Sequence, residues 1–369
     1  MSDKQFMRET LVEGAHAFKA GKMDRRTFLA LCGATGFVSA SVLAGDAQAA
    51  ADHVVMWNWG GQSEECHGSA IGEAFTAATG KGLKFDTSGP LEGKIKEMVD
   101  SGNVTADVAD ADLFNAVSLG PTGHLEAIDY SVVSKEKTLP GYALEHGVSI
   151  ILYGYAFVYD TEAYGDNPPE NWADFFDTEK FPGMRSLYKW ANGSLEAALL
   201  ADGVAGDALY PLDMGRALAK IKSIKDNSLY WGSGSAAHSM VVNGEVSMGM
   251  IWQNRGRNIE NDTDGRYKLV NNQALAMPGA YIVPKGNPAG RDAVMKFIAT
   301  AQEVDAQLKL LDCLGMTPSN PAAFDKIPEG QQDYAITSAK NIDKIVYNDP
   351  DWWGKNGGDA VNAFLEAIS

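Results

Sequence analysis

Val148-Ser149-Ile150-Ile151-Leu152-Tyr153-Gly154-Tyr155-Ala156-Phe157-Val158-Tyr159 is long, apolar and rich in β-branched and aromatic residues, with a glycine near its centre. A strand of that length suits a crossover between two lobes rather than one place in a single sheet. A second extended segment, Ala274 to Val283, ends at the turn Pro284-Lys285-Gly286-Asn287-Pro288 and carries the chain back.

Outward from these two segments, strands alternate with helices. His53 to Trp57 reads as a first strand, followed by the turn Asn58-Trp59-Gly60-Gly61. Glu64 to Thr79 reads as a helix stopped by Gly80. Leu83 to Asp86 is a strand, Leu91 to Asp100 a helix, and Ala106 to Leu113 a third strand entering a helix near Asn115. Beyond the crossover the pattern repeats. Helices are expected at Trp172 to Phe176, Leu195 to Leu200 and Gly215 to Lys225, with strands at Arg185 to Trp190 and Val246 to Trp252. Helices over Arg291 to Leu311, Gly330 to Ser338 and the C-terminus complete the chain. Such alternation implies mainly parallel sheets covered on both faces. The expected fold is α/β with two lobes, each a mainly parallel sheet flanked by helices, joined by two crossing strands. The boundaries place lobe 1 at 50–155 plus 281–318 and lobe 2 at 156–280 plus 319–369.

The N-terminus reads differently. Asp24-Arg25-Arg26-Thr27-Phe28-Leu29 puts paired arginines before an apolar stretch ending near Ala44, closed by Ala47-Gln48-Ala49. That is a twin-arginine export signal with an A-x-A cleavage site, spanning residues 1–49. Gly33, Gly36, Ser39 and Ser41 interrupt the stretch, which is too short for a spanning helix. Cys32 follows Leu31, where a lipoprotein signal needs a small residue, so it belongs to the discarded signal. The mature chain is expected in the periplasm, starting near Ala50.

Of 369 residues, 369 − 49 = 320 remain after cleavage, enough for two lobes of ordinary size. The net charge is −17; residues 1–49 carry six basic and five acidic residues, so the mature protein stands near −18. Such a surface repels nucleic acid and anionic lipid. Cys66 and Cys313 remain, and in an oxidising compartment they are able to pair. Two cysteines and scattered histidines make no zinc set, so no metal and no cofactor are expected.

Catalytic signatures are mostly absent. Gly232-Ser233-Gly234-Ser235-Ala236 fails the nucleophile-elbow spacing and reads as a flexible turn. Asp110-Ala111-Asp112 lacks the downstream Lys and acidic set of phosphoryl transfer. Aromatic residues cluster instead where strands run out: Trp59, Phe114, Trp190, Trp231, Trp252 and Tyr281. In open α/β sheets ligands bind outside the carboxyl ends of strands, and aromatic faces there attract organic cations. Each alone also suits core packing. Arg255, three residues after Trp252, is placed to clamp a carboxylate or to make a surface salt bridge. Asp112 is placed to take an ammonium group or to cap the helix near Asn115.

Across essentially the whole mature chain the sequence resembles the extracellular solute-binding proteins of ABC transporters, of the spermidine/putrescine type. The landmarks are Trp57-Asn58-Trp59, Tyr159-Asp160-Thr161-Glu162, Pro169-Glu170-Asn171-Trp172-Ala173-Asp174-Phe175-Phe176 and Phe181-Pro182-Gly183. Asn243-Gly244-Glu245-Val246, Ile282-Val283-Pro284-Lys285-Gly286 and Gly315-Met316-Thr317-Pro318-Ser319-Asn320 continue them. The resemblance implies a type II periplasmic binding protein whose lobes close on a small solute and deliver it to a cognate permease in the inner membrane. It implies no enzyme activity and a monomer that binds no nucleic acid. By the same resemblance Trp59 stacks on the ligand, with Phe114 and Trp252 as further aromatics, and Arg255 matches an arginine of relatives that take ω-amino acids or other carboxylates. Gly61, Trp190 and Gly279 stand where polyamine binders carry acidic residues, while Asp112 replaces a Ser or Thr. The expectation is therefore a polyamine-like or other small nitrogenous solute. A zwitterion with an amine or quaternary ammonium and a carboxylate fits at least as well. An exported enzyme on the same fold is the alternative from another class.

Overall fold

The computed structural model describes residues 51–369. The twin-arginine signal, its cleavage site and Cys32 lie outside the described residues. Eight strands form the main path of one continuous sheet: β1 (His53–Trp57), β2 (Gly82–Asp86), β3 (Val108–Asp112), then, beyond a short β4 (Ala143–Leu144), β5 (Gly147–Asp160), β6 (Arg185–Tyr188), β7 (Ser228–Trp231), β8 (Met248–Trp252) and β9 (Tyr267–Ile282). The spatial order is β2-β1-β3-β9-β5-β8-β6-β7. The two-residue strands β10 (Thr317–Pro318) and β11 (Val346–Tyr347), like β4, pair at the sides of the long ones.

The order divides by strand direction. β2, β1 and β3 run parallel, as do β8, β6 and β7. Between these sets lie β5 and β9, antiparallel to each other and each antiparallel to its outer neighbour. Two parallel half-sheets joined through two long crossing strands make the fold two-lobed α/β, as the apolar run 148–159 predicts. β9 begins at Tyr267, upstream of the expected Ala274, because Tyr267 to Val270 pair with the far end of β5.

Each half has its own core. In the first, Phe75 packs edge-on against Phe297, with Ile71, Val108, Val283 and Leu310 around them. In the second, Phe157, Trp172 and Phe175 pack with centroids 5.2–5.4 Å apart, beside Leu199 and Ile221. Burial of aromatic side chains on this scale dominates the stability of such lobes. Arg185 is wholly buried there, its guanidinium spent on the carbonyls of Phe175, Asp177, Phe181 and Gly183. The helix Pro350–Ile368 packs against both halves: Phe364 joins the second core, and a Cβ at Gly354 would lie 2.4 Å from Val117 of the first.

Several local expectations give way. The helix expected over Arg291 to Leu311 is two helices, Arg291–Ala301 and Val304–Leu314. The break falls at Gln302, whose side chain holds both backbone groups of Ser134 while its carbonyl accepts from Asn320. Gly330 to Ser338 forms only a 3₁₀ turn at Glu329–Gln331, because Asn341 captures the carbonyls of Gln332 and Ala335 that a helix needs. The strand at Arg185 stops at Tyr188, and Trp190 instead precedes the helix Ala191–Ala201. The supposed flexible turn at Gly232 to Ala236 opens the helix Gly234–Val242, with Ser233 as its N-cap accepting from the Ala236 amide.

Candidate functional site

The C-terminal ends of β3 and β8 point toward each other across the crossing strands. β3 ends at Asp110-Ala111-Asp112, and with period-two alternation both carboxyls lie on the same face as Val108. Asp112 accepts a hydrogen bond from Tyr153 Oη at 2.7 Å, so it does not cap the following helix, Phe114–Leu119, which starts after Leu113. Burial raises the Asp112 carboxyl to about 6; the Tyr153 hydroxyl opposes that rise and neighbouring Asp110 adds to it. Asp110 is 7% exposed and burial pushes it to about 7.

From Tyr153 an aromatic ladder runs into the second lobe. Tyr153 meets Tyr155 edge-on at 6.0 Å, and Tyr155 stacks on Tyr188 at 5.9 Å. Tyr188 stacks on Trp231 at 4.5 Å, and both meet Trp252 edge-on at 5.6 and 5.3 Å. The sheet register fixes this arrangement, since Tyr155 of β5 lies opposite Trp252 of β8 and Tyr188 of β6 opposite Trp231 of β7. Two glycines let the ladder close. Gly193 holds φ +83°, and a Cβ there would lie 2.4 Å from the Tyr155 ring; a Cβ at Gly234 would lie 2.4 Å from Arg255 Nε and 2.6 Å from Trp252.

Arg255 closes the 3₁₀ turn Gln253–Arg255 beyond β8. Half-buried, it makes no ion pair with any described residue; its Nε is buried without a partner, and burial lowers its pKa. An uncompensated guanidinium there is a seat for an anion, since a charge taken partly out of water needs a counter-charge.

Trp59 follows β1, 57% exposed, its Nε1 donating to the Asp110 carbonyl at 3.1 Å. Phe114 starts its helix half-buried and packs against the second core from the first lobe. Trp190, 45% exposed, stands in the segment leading into Gly193. Two predicted site residues are placed otherwise. Tyr281 is 1% exposed and stacks on Phe297 in the first core, because β9 turns that face toward the helices. Trp231 is equally buried, its Nε1 donating to the Met250 carbonyl, and it backs Trp252 instead of facing solvent. Tyr153 and Tyr188, both half-buried, stand beside these residues though sequence reasoning did not single them out, with the buried Tyr155 between them; the signal for Tyr153 and Tyr155 is the alternation of tyrosines along a run read as core.

Cys66 and Cys313 are joined by a disulfide, with Cα atoms 5.7 Å apart. It ties the helix Gln62–His67, directly after the Trp59 loop, to the helix Val304–Leu314.

Two lobes joined by crossing strands, with aromatic residues gathered where the strand ends of β3 and β8 face each other, are the frame of a solute-binding protein. Residues 70–338, well over half of the chain, match the bacterial extracellular solute-binding protein family, and the chain belongs to that family. It is the solute-binding component of an ABC transporter. A gamma-aminobutyric acid-binding protein of Pseudomonas aeruginosa (strain PAO1) is 27% identical over 325 residues, covering 86% of this chain and 91% of that protein. Among solved structures, the Atu4243–GABA receptor aligns with a TM-score of 0.79 at 30% identity, over 86% of this chain and 98% of that one. The binding protein MotA of A. tumefaciens B6, in complex with glucopine, aligns with a TM-score of 0.76 at 28% identity, over 86% of this chain and all of the other.

Proposed function

We propose that this chain binds a small zwitterion carrying an ammonium and a carboxylate, of the ω-amino-acid or betaine-like class, and presents it to an ABC permease in the inner membrane. The observation that carries the reading is the placement of opposite charges at the two ends of one aromatic ladder: Asp112 beside Tyr153, and Arg255 beyond Trp252 with no acidic partner. Asp112 takes the ammonium end, Arg255 the carboxylate, and Trp59, Phe114, Trp190 and Trp252 wall the chain between them. The protein acts as a monomer after twin-arginine export to the periplasm. The lobe formed by 50–155 plus 281–318 closes against that formed by 156–280 plus 319–369.

The two relatives named for gamma-aminobutyric acid support this class, because that ligand carries both groups. The polyamine reading is disfavoured on charge. A diammonium chain needs counter-charges at both ends, and the second wall offers a guanidinium at Arg255, with Gly61, Trp190 and Gly279 lacking carboxylates. Thermal denaturation with gamma-aminobutyrate, betaines, polyamines and organic acids tests it, since a ligand that binds only the native state raises the melting temperature. Zwitterions are expected to shift the transition and putrescine to leave it. Tight putrescine or spermidine binding that survives Arg255→Ala would overturn the carboxylate assignment and restore the polyamine reading.

A further inference from the structure

Asn254 stands beside Arg255 on the second-lobe turn, yet its side chain reaches the other lobe. Its Nδ2 donates to the carbonyl of Leu314 at 3.0 Å. Leu314 ends the helix Val304–Leu314, so the bond satisfies one of the carbonyls that a helix C-terminus leaves free. Gly315 follows at φ +69°, so close that a Cβ there would lie 2.9 Å from that of Asn254. The first-lobe partner is itself anchored. Cys313, one residue earlier, is disulfide-bonded to Cys66, and its carbonyl accepts from Gln62 Nε2 at 2.8 Å. Gln62 and Cys66 both belong to the helix that starts directly after the Trp59-Gly60-Gly61 loop. The residue just before the carbonyl held by Asn254 is thus tied twice to the helix that follows the Trp59 loop. On the same turn Gln253 Oε1, Asn254 Oδ1 and Arg255 Nε are all buried without partners.

We propose that Asn254 is a positioning residue: it latches the Gln253–Arg255 turn to the disulfide-anchored helix end of the first lobe, and so sets Arg255 at a fixed span from Trp59 and Asp112. The inference rests on Arg255 taking the ligand carboxylate. A guanidinium side chain has many rotamers, and fixing its backbone beforehand lowers the ordering cost on binding. The latch also gives the cleft a defined length, so it selects ligands by the separation of their charges.

Calorimetry with gamma-aminobutyrate and its carboxamide, which keeps the ammonium and lacks the carboxylate, on wild type, Asn254→Ala and Arg255→Ala, separates positioning from packing. Wild type is expected to prefer the carboxylate. Asn254→Ala should reduce that preference roughly tenfold, the size of one charge-assisted hydrogen bond, while affinity for the amide stays nearly constant. Equal loss toward both probes in Asn254→Ala would overturn the proposal. Should Arg255→Ala keep the wild-type preference, or wild type bind neither probe, the carboxylate reading fails and the latch is judged on ligand-free protein. Small-angle scattering should then give a larger radius of gyration for Asn254→Ala, and for the Cys66→Ser/Cys313→Ser pair, than for wild type. Unchanged radii in both variants would sink the latch.

Discussion

On the first-lobe wall of the proposed cleft, Trp59 stands mostly in solvent, its indole held by a single bond to the backbone carbonyl of Asp110, on the strand that also carries Asp112. On the second-lobe wall, Trp252 is wedged against Trp231 and Tyr188, with a lone guanidinium behind it. One wall is acidic and presents its aromatic openly; the other is cationic and presents an aromatic already packed. The contrast implies a division of labour. The first wall is free to adapt to the ligand, and the second is preorganised, so binding costs less ordering there.

Arg255→Ala should break the contrast most severely, because it removes a half-buried charge that has no ion-pair partner among the described residues. Losing one partner of a desolvated charge pair costs about 3 kcal/mol, roughly a hundredfold in affinity for a zwitterion. Titration calorimetry reads this directly, and a change under threefold would mean that Arg255 does not meet the ligand.

The acidic wall is sharpened by pH. With the Asp112 carboxyl raised to about 6, chiefly by burial, its charge is present above that value and lost below it. Affinity for an amine-bearing ligand should therefore be flat above about pH 7 and fall, by up to about tenfold per unit, as pH drops below 6. Asp112→Asn should bind weakly and lose the slope. A slope unchanged in that variant would move the ammonium seat elsewhere.

The two tryptophans should differ in kind. Stacking or cation–π contact contributes about 0.5–2 kcal/mol, so either Ala substitution weakens binding several-fold. Trp252→Ala should also lower the ligand-free melting temperature, since it opens a gap beside Trp231 and Tyr188, while Trp59→Ala should not. Equal melting losses would erase the distinction between an open and a packed wall.

The last effect, on stability and not on binding, concerns Asp110. Its folded pKa, about 7, lies above the ordinary carboxylate value, so the native state binds more protons than the unfolded chain in between. Stability is then favoured at low pH and declines as pH rises from about 4 through 7. Asp110→Asn should remove that part of the pH dependence of the melting temperature.

The crossing strands were legible because residues apolar on both faces over twelve positions have few other uses. The positions of Trp59 and Arg255 were legible because each follows a strand end. Tyr153 and Tyr155 were not: within an apolar run, only the register against β8 tells which face meets the cleft. The same ambiguity misplaced Tyr281, whose strand turns its two faces to different surroundings. Small residues in Gly234-Ser235-Ala236-Ala237 concealed a helix, because their apolar periodicity is weak and the deciding feature is the Ser233 cap.

The path of the chain sets an order of assembly. β6, β7 and β8 are contributed by one stretch, whereas β3 finds its neighbour β9 only after all three of those strands have passed. The Cys66–Cys313 bond closes across 247 residues of sequence. Closing so long a loop is entropically slow, and distant pairings form late. The β6–β7–β8 half-sheet is therefore the more local unit, although its core also takes Phe364 from the C-terminal helix, and the first half-sheet is completed by β9 returning to β3. Trp59, just beyond β1, thus stands in the half-sheet that a distant return of the chain completes, and Trp252 in the half-sheet that one stretch of chain builds.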